Sequence, residues 1–503
     1  MAQEANMHKS FDLNKTIIEK SFMREELEIE GRYVCPNCIR DSYIKRQIKL
    51  NGTDHICDYC EREYSCYTIV QVADLVEYAF KFHYERTSNE PNGYEYSMSR
   101  DEDIDYEWER SGEQSVYAIQ SSIDSIDEVA EDIQTYLKEK HYDQDEAAYG
   151  FESEFEDNAY YQRKYIGDES WQIEWNKFEL TLRTESRYFN KSCIDHLESI
   201  FGDLIDLRTS KRNPVIALAG PGTIYNYFYR ARVFNLDEGL KSALESPVEQ
   251  FGPPPAKVAP SGRMNAHGIS VFYGANNQKV ALAEVRPPVG SKVVVARFEL
   301  TRELRLLDLG ALQDLERSGS IFDEKYGSKL QKATFLENLS KRIVIPVMPG
   351  SEDFDYITTQ AIADFLASNE KLNLDGILYP SVQSKGKSIN IVLFHKASRV
   401  QELYLPVGGK IEAELGMYGE DGWEPFYRII ESIPSKKPEV KNVSADLPFD
   451  DLLDSHPPTH DIDTRLPSLK IDLDTIEVHE VESVRYKSTP LPVHKYKYVD
   501  KSV

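Results

Sequence analysis

The chain has 503 residues and a net charge of −26 at pH 7, and at roughly 150 residues per domain we expect two to four domains. Broad binding of nucleic acid needs a surplus of Lys and Arg, so the acidic balance argues against it. No apolar run is long enough to span a membrane, and the polar first 30 residues lack the apolar stretch of a secretory signal, so we expect a cytoplasmic protein.

The predicted elements change character along the chain. Residues 1–30 are expected to form a helical lead-in, and residues 31–66 hold a cysteine cluster. Residues 67–205 are expected to form an acidic helical domain, because apolar residues recur there at three- and four-residue spacing. Its charges predict a solvated face, with a docking surface for a basic partner as the alternative. Residues 206–410 alternate short β-rich runs with helical segments, and residues 411–503 form a C-terminal extension that is partly linker.

Two C-x2-C pairs, in YVCPNCIRD and HICDYCERE, are separated by 18 residues. The candidate ligands are Cys35, Cys38, Cys57 and Cys60. This spacing is typical of a zinc site in which four thiolates form a closed tetrahedral shell, with no position left for a reactive water. We therefore predict a structural zinc ion, with a redox role or chance pairing as the alternative. His55 and Cys66 lie close enough in sequence to replace one ligand.

Polar and aromatic residues at the edges of predicted strands and loops form a second candidate site. These residues are Arg230, Arg263, Tyr273, Glu284 and Ser381. Taken singly, each has an ordinary structural explanation, such as a surface arginine, a core tyrosine or a lone exposed carboxylate. The sequence contains no evident Ser/His/Asp set, P-loop or GxGxxG, so the common hydrolase and nucleotide-binding folds lack support.

The spacing of three of these residues resembles the RES family, named for Arg, Glu and Ser. That family has a G-R-W-N segment, then a Tyr ten residues after the Arg, and then a Glu about eleven residues later. Here GRMN contains Arg263, and Tyr273 and Glu284 follow at intervals of ten and eleven residues. Met264 stands where the family has Trp, which slightly alters the packing expected beside this loop.

Two further features extend the resemblance over roughly residues 210–400. An early aromatic–Arg pair of the family is matched by Tyr229-Arg230. A late Pro-Ser loop, followed by an Asn and a strand, is matched by Pro380-Ser381, Asn390 and the run INIVLF. The combination in the correct order is far more specific than any single piece.

RES domains resemble ADP-ribosyltransferase folds, and the resemblance implies hydrolysis of NAD⁺ to nicotinamide and ADP-ribose. Cleavage of the bond between nicotinamide and ribose builds oxocarbenium character on the ribose. Glu284 is the implied stabiliser of this charge, and its apolar neighbours are expected to strengthen the effect. Arg263 offers a planar charged fork for the pyrophosphate, and Arg230 either shares that task or orients Glu284.

The remaining implied site residues bind the substrate. Tyr273 offers a flat face for stacking on nicotinamide. Ser381 is expected to hydrogen-bond the ribose or the carboxamide, and it is not predicted to be a nucleophile because no partner base is visible. Asn265 and Asn390 complete the predicted NAD⁺-binding set.

The cysteine pairs and acidic helices resemble an N-terminal module that accompanies some RES domains and is compared with HEPN helical domains. HEPN nucleases use an R-x4–6-H motif, and no Arg in this sequence is followed by His at that spacing, which argues against nuclease activity. The fold class expected for the chain is α+β multidomain, with a four-cysteine zinc module and a helical domain followed by an ADP-ribosyltransferase-like mixed α/β RES domain.

Two other functions stay open from the sequence. The first is ADP-ribosyl transfer to a macromolecule, and the second is a non-enzymatic zinc-stapled adaptor with a decayed RES domain. An NAD⁺-consuming enzyme would harm its own cell, so the resemblance implies a regulated toxin or anti-phage effector. The expected partners are therefore NAD⁺, a protein antitoxin or regulator, and a second copy of the chain, with no membrane and no nucleic acid.

Overall fold

The computed structural model describes residues 28–101, 105–143, 148–185, 189–345, 352–381, 388–420, 422–433, 463–485 and 489–497. The chain divides into two compact units. One comprises Met1–Gln172 and Arg317–Phe335, and the other comprises Ile173–Glu316 and Leu336–Val503. The predicted lead-in at 1–30 lies outside the described residues except for 28–30, which are helical. Among the residues described, no helix is long and apolar enough to cross a membrane.

The first unit contains two small antiparallel sheets and a group of helices. Its strands are β1 (Tyr33–Val34), β2 (Thr53–Ile56), β3 (Glu63–Thr68), β4 (Tyr84–Arg86), β5 (Glu113–Gln114) and β6 (Tyr160–Arg163). Its helices include α1 (Ser42–Asn51), α2 (Ile69–His83), α3 (Gly93–Met98), α4 (Ser115–Ile123) and α5 (Asp127–Lys140). The strand orders are β1-β3-β2 and β4-β6-β5.

The cysteine cluster and the helices after it share one hydrophobic core. Helix α2 begins immediately after β3, where Thr68 and Gln71 form a reciprocal capping box. Buried residues of α2, α4 and α5 pack in the same cluster as Cys35 and Ile44. The predicted border at residue 66 therefore does not separate two cores, because neither segment encloses an apolar interior by itself.

A polar contact joins the second cysteine pair to α5. The Asp132 carboxylate accepts two hydrogen bonds from Nη1 of Arg32, at 2.9 and 2.7 Å, and one from the Tyr59 hydroxyl at 2.5 Å. Tyr59 lies between Cys57 and Cys60 in sequence, so this contact fixes the loop that carries both thiols. Burial, reinforced by the Asp132 charge, raises the pKa of Tyr59 and keeps its hydroxyl protonated.

The second unit is built on a mixed sheet. Its strands are β7 (Ile216–Ala219), β8 (Tyr227–Phe234), β9 (Phe272–Ala275), β10 (Lys292–Leu300), β11 (Leu304–Asp308), β12 (Gly376–Pro380), β13 (Ile389–Leu393), β14 (Lys410–Gly419), β15 (Gly422–Ser432) and β16 (Leu469–Glu480). The later helices are α6 (Glu169–Thr184), α7 (Lys191–Phe201), α8 (Asp237–Glu245), α9 (Pro247–Phe251), α10 (Gln278–Glu284), α11 (Glu324–Val344) and α12 (Glu352–Ser368). Helices α6 and α11 run across points where the chain is divided between the units.

Eight of the described strands form one sheet in the order β16-β10-β8-β9-β13-β12-β11-β7. The β11–β12 pair is parallel, and the other pairs are antiparallel. Phe228, Phe272 and Phe298, from three neighbouring strands, are fully buried in the core of this unit. The mixed α/β class expected for this part of the chain is confirmed.

Two segments lie in units other than the predicted ones. Most of α6 and all of α7, assigned from sequence to the acidic helical domain, belong to the second unit. Strand β16, assigned to the partly linker extension, pairs with β10 from Lys292–Glu480 to Leu300–Leu469. The domain borders expected at 205 and 410 therefore differ from the observed division, because distant segments complete the helical layer and the sheet.

Candidate functional site

A cavity of about 450 Å³ lies in the second unit beside β8, β9, β12 and β13. Its volume falls within the range of small-molecule sites. Its polar and aromatic lining residues include Tyr229, Arg230, Arg263, Tyr273, Glu284, Arg286, Tyr356, Tyr379 and Asn390. Sequence reasoning did not single out Tyr356, Tyr379 or Arg286.

The central strand β13 brings distant parts of the sequence to this cavity. It pairs with β12 on one side, where Asn390 is opposite Tyr379. It pairs with β9 on the other side, where Asn390 is opposite Ala275 and Val392 is opposite Tyr273. The pairing places Asn390 next to residues more than 100 positions earlier in the chain.

Glu284 is the last residue of α10, a helix whose N-cap Asn277 accepts a hydrogen bond from the backbone of Val280 at 3.0 Å. Sequence reasoning placed it at a strand or loop edge in apolar surroundings. The side chain is instead solvent-exposed and lies at a helix C-terminus, where the helix dipole disfavours a negative charge. Its position therefore does not serve helix stability.

Two side chains hold one oxygen of the Glu284 carboxylate. Ser381 Oγ and Asn390 Nδ2 each donate to Oε1 at 2.8 Å. Within the described part of the chain, no hydrogen bond reaches Oε2. Polar contacts thus orient the carboxylate, with Oε1 engaged by the protein and Oε2 available to a ligand.

Ser381 and Asn390 differ in what they offer beyond this contact. Ser381 is buried, does not line the cavity, and its backbone N–H donates to the carbonyl of Ser388 at 2.9 Å. Asn390 lines the cavity, and its Oδ1 is buried with no hydrogen-bond partner among the described residues. Because its Nδ2 must face Glu284, the amide orientation is fixed, and Oδ1 is free to accept from a ligand.

Arg230 is half-buried and provides a cation whose Nη1 atom is buried. Its Nη1 has no hydrogen-bond partner in the part of the chain that is described, and its guanidinium lies 5.4 Å from the centre of the Phe272 ring. Burial, followed by the neighbouring charge of Arg232, lowers the pKa of Arg230 to about 10, so it remains protonated at neutral pH. A half-buried cation without a counterion is costly, and this arrangement fits an anionic ligand.

The GRMN segment forms a tightly tied loop beside Arg230. Tyr273 donates its hydroxyl hydrogen to Asn265 Oδ1 at 2.9 Å and accepts from the backbone of Met264 at 3.0 Å. A Cβ at Gly262 would lie 2.8 Å from the Tyr273 hydroxyl, so only glycine fits there. The Arg263 guanidinium lines the cavity and donates from Nη1 to the carbonyl of Ile343 at 3.1 Å.

Asn265 has a structural position and does not line the cavity. Its Nδ2 donates to the carbonyls of Pro260, Ala266 and Ile269, and its Oδ1 accepts from Tyr273. With every amide group engaged and the residue buried, no polar atom remains to meet a ligand. The amide of Asn265 shapes the loop, and the substrate contact predicted for this residue stays a prediction.

Tyr273→Phe is expected to destabilise this loop. The substitution keeps the ring but leaves a buried amide oxygen and a buried N–H unpaired, which costs about 1–3 kcal/mol. We expect the free energy of unfolding, measured by urea denaturation, to fall by that amount. Tyr356→Phe is the matched control, since this cavity tyrosine makes no side-chain hydrogen bond within the described residues and should change the value by less than about 0.5 kcal/mol. Equal effects of the two variants would contradict the loop-tying role.

The four predicted metal ligands meet in the first unit. Cys35, Cys38, Cys57 and Cys60 have their sulfur atoms within 4.8 Å of one another. Three of the Sγ–Sγ distances are 3.6, 3.8 and 3.8 Å. A tetrahedral zinc ion with Zn–S bonds of about 2.3 Å requires sulfur separations of about 3.8 Å, so the cluster could hold this ion.

The two alternative ligands are otherwise engaged. The Cys66 thiol donates towards the carbonyls of His55 and Tyr64, and burial raises its pKa to about 11. The His55 ring stacks on Tyr33 with centroids 3.8 Å apart. The four-cysteine set is the one whose geometry suits a metal ion.

The comparisons with known proteins cover only part of the chain. The family model of the RES domain matches residues 229–410, which agrees with the resemblance drawn from the spacing of Arg263, Tyr273 and Glu284. The match does not include the N-terminal segment, whose likeness to HEPN-associated modules stays a prediction. No curated protein matches the chain. Residues 229–410 of the second unit are therefore similar to the RES domain.

Proposed function

We propose that this chain is an NAD⁺ glycohydrolase that releases nicotinamide and ADP-ribose. The observation that carries the proposal is the pairing, in one cavity of a RES domain, of an oriented carboxylate with a half-buried unpaired cation. Glu284 supplies the carboxylate, and Arg230 supplies the cation. RES domains are associated with enzymes that act on NAD. The mixed sheet supports an ADP-ribosyltransferase-like fold as part of the same proposal.

The reaction needs a negative charge beside the nicotinamide ribose. The carbon–nitrogen bond breaks, its electron pair leaves with nicotinamide, and positive charge develops on the ribose ring. Oε2 of Glu284 is the oxygen left to stabilise this charge or to accept a hydrogen bond from a ribose hydroxyl. Water then forms the new carbon–oxygen bond, and the products are nicotinamide, ADP-ribose and one proton.

The other lining residues suit the rest of the substrate. Arg230 and Arg263 offer guanidinium groups to the pyrophosphate, which accepts such donors in pairs. Burial raises the pKa of Tyr379, so this side chain presents a neutral aromatic surface at any physiological pH. Asn390 Oδ1 can accept a hydrogen bond from a ribose hydroxyl or from the nicotinamide carboxamide.

The proposal is tested by incubating the purified full-length chain with NAD⁺ labelled in the adenosine portion. We expect free nicotinamide and free labelled ADP-ribose in equal amounts. Label retained on protein or on added nucleic acid would instead support ADP-ribosyl transfer. Absence of nicotinamide release would contradict catalysis and leave the adaptor function.

Control of this activity is a further part of the proposal, because unrestrained NAD⁺ hydrolysis would deplete the cell that makes the enzyme. The role is then that of a regulated toxin or anti-phage effector with a protein antitoxin or regulator as partner. The first unit has its own core and its own cluster of four cysteines, which supports it as the regulatory part. Cellular NAD⁺ that falls constitutively on expression of the full chain alone would contradict control built into the chain.

A further inference from the structure

Arg286 has a backbone conformation that favours glycine. Its φ is +44°, in the left-handed region. Helix α10 ends at Glu284 and its C-cap is Val285, so Arg286 stands at the next position, where helices commonly have glycine. Pro287 follows directly, and a residue before proline is pushed towards extended conformations. The chain thus has an arginine where the local backbone is best served by glycine.

The side chain of Arg286 lines the cavity that contains Glu284. It is solvent-exposed, and within the described residues it makes no side-chain hydrogen bond and no ion pair. Its backbone N–H donates to the carbonyl of Ala283 at 3.2 Å, a bond that glycine would make equally well. Neither the helix end nor a contact with another described residue explains why an arginine occupies this position. An unfavourable backbone conformation that serves no structural purpose is typical of functional positions.

We infer that Arg286 is a substrate-binding residue that holds a phosphate group. This inference rests on the proposed function and assigns this residue to the pyrophosphate of NAD⁺. Among the described lining residues, Arg230, Arg263 and Arg286 carry three positive charges and Glu284 carries one negative charge, which leaves two positive charges. A dinucleotide with a pyrophosphate supplies two matching negative charges. Since Nη1 of Arg263 is already bound to a carbonyl, Arg286 contributes a guanidinium with all its donors available.

The test is Arg286→Gly, which removes the guanidinium and also relieves the left-handed conformation. We expect the KM for NAD⁺ to rise at least about 10-fold, the effect of losing hydrogen bonds to a charged group, with kcat within about 2-fold. The thermal midpoint should equal or exceed that of the wild type, which a purely structural role does not predict. Arg212→Gly is the matched control: Arg212 is exposed, has a φ of +62°, and lies outside the cavity lining. Its replacement should leave the KM unchanged.

Binding of inorganic pyrophosphate, measured by calorimetry on the same full-length variants, separates this inference from the proposed function. Weaker binding by Arg286→Gly than by the wild type and Arg212→Gly supports the phosphate contact. If the wild type releases no nicotinamide, the proposed function fails while this comparison still decides the role of Arg286. Equal pyrophosphate affinities, or a fall in kcat with an unchanged KM, would overturn the inference.

Discussion

Replacing Glu284 with Gln is expected to lower kcat for NAD⁺ cleavage at least about 10²-fold, the scale of removing one electrostatic stabiliser. Ser381 and Asn390 both donate to Oε1, and a glutamine amide oxygen can accept both hydrogen bonds in the same place. The substitution therefore preserves shape and contacts, and it changes only the group at the Oε2 position. An amide nitrogen there cannot stabilise positive charge on the ribose.

The measurement is nicotinamide release at saturating NAD⁺, together with the thermal midpoint of each variant. Glu402→Gln is the control for loss of a negative charge, since Glu402 is exposed and outside the cavity lining. Ser381→Ala removes one of the two donors and should give a smaller loss than Glu284→Gln, because Asn390 still holds the carboxylate. Full NAD⁺ turnover by Glu284→Gln would show that this carboxylate is not the charge stabiliser.

The sequence could predict those site residues that lie close to one another along the chain. Arg263, Tyr273 and Glu284 follow one another through a loop, strand β9 and helix α10, so their spacing carries spatial information. Ser381 and Asn390 reach the same carboxylate from about 100 residues away, through the pairing of β13 with β9. Strand order in a mixed sheet depends on contacts distant in sequence, so only the family resemblance placed these two residues with Glu284.

The sequence also does not predict whether a side chain points towards the cavity or towards its own loop. Asn265 lies near Arg263 in GRMN, and its amide group is of a type that binds ligands. Its Nδ2 instead donates hydrogen bonds to backbone carbonyls of the loop. Arg286 is the opposite case, because its sequence context AEVRPP gives no sign of a left-handed backbone or of a side chain on the cavity. Residue type and spacing do not distinguish an amide that shapes a loop from one that meets a substrate.

The predicted domain borders differ from the division into two compact units for a related reason. A border predicted from composition marks where the residue composition and hydrophobic pattern change, whereas a domain is defined by a shared hydrophobic core. Strand β16 lies in a segment with linker-like neighbours, yet Leu469 and Ile471 are buried in the core of the second unit. The cysteine segment differs in composition from α2, yet Cys35 and Val72 belong to one cluster.

Removal of the metal is expected to unfold the region that contains the cysteine cluster. A structural zinc ion contributes about 10–16 kcal/mol to folding in small zinc modules, which is as large as the whole stability of a typical domain, about 5–15 kcal/mol. Because buried cysteines are part of the first unit's core, loss of the ion also removes packing partners from α2. We expect one zinc ion per wild-type chain, none in Cys57→Ser, and a lower thermal midpoint and less helical circular dichroism in that variant.

Cys66→Ser is the matched control, since Cys66 is buried beside the cluster but its thiol donates to backbone carbonyls, and serine can make the same hydrogen bonds. It should retain one zinc ion and most of the helical signal. Full zinc content in Cys57→Ser, or its loss in Cys66→Ser, would show that the ligand set is different. A closed four-sulfur shell leaves no open position, so the expected role of the metal ion is to stabilise the fold, and the proposed chemistry is assigned to the carboxylate and arginines that line the cavity.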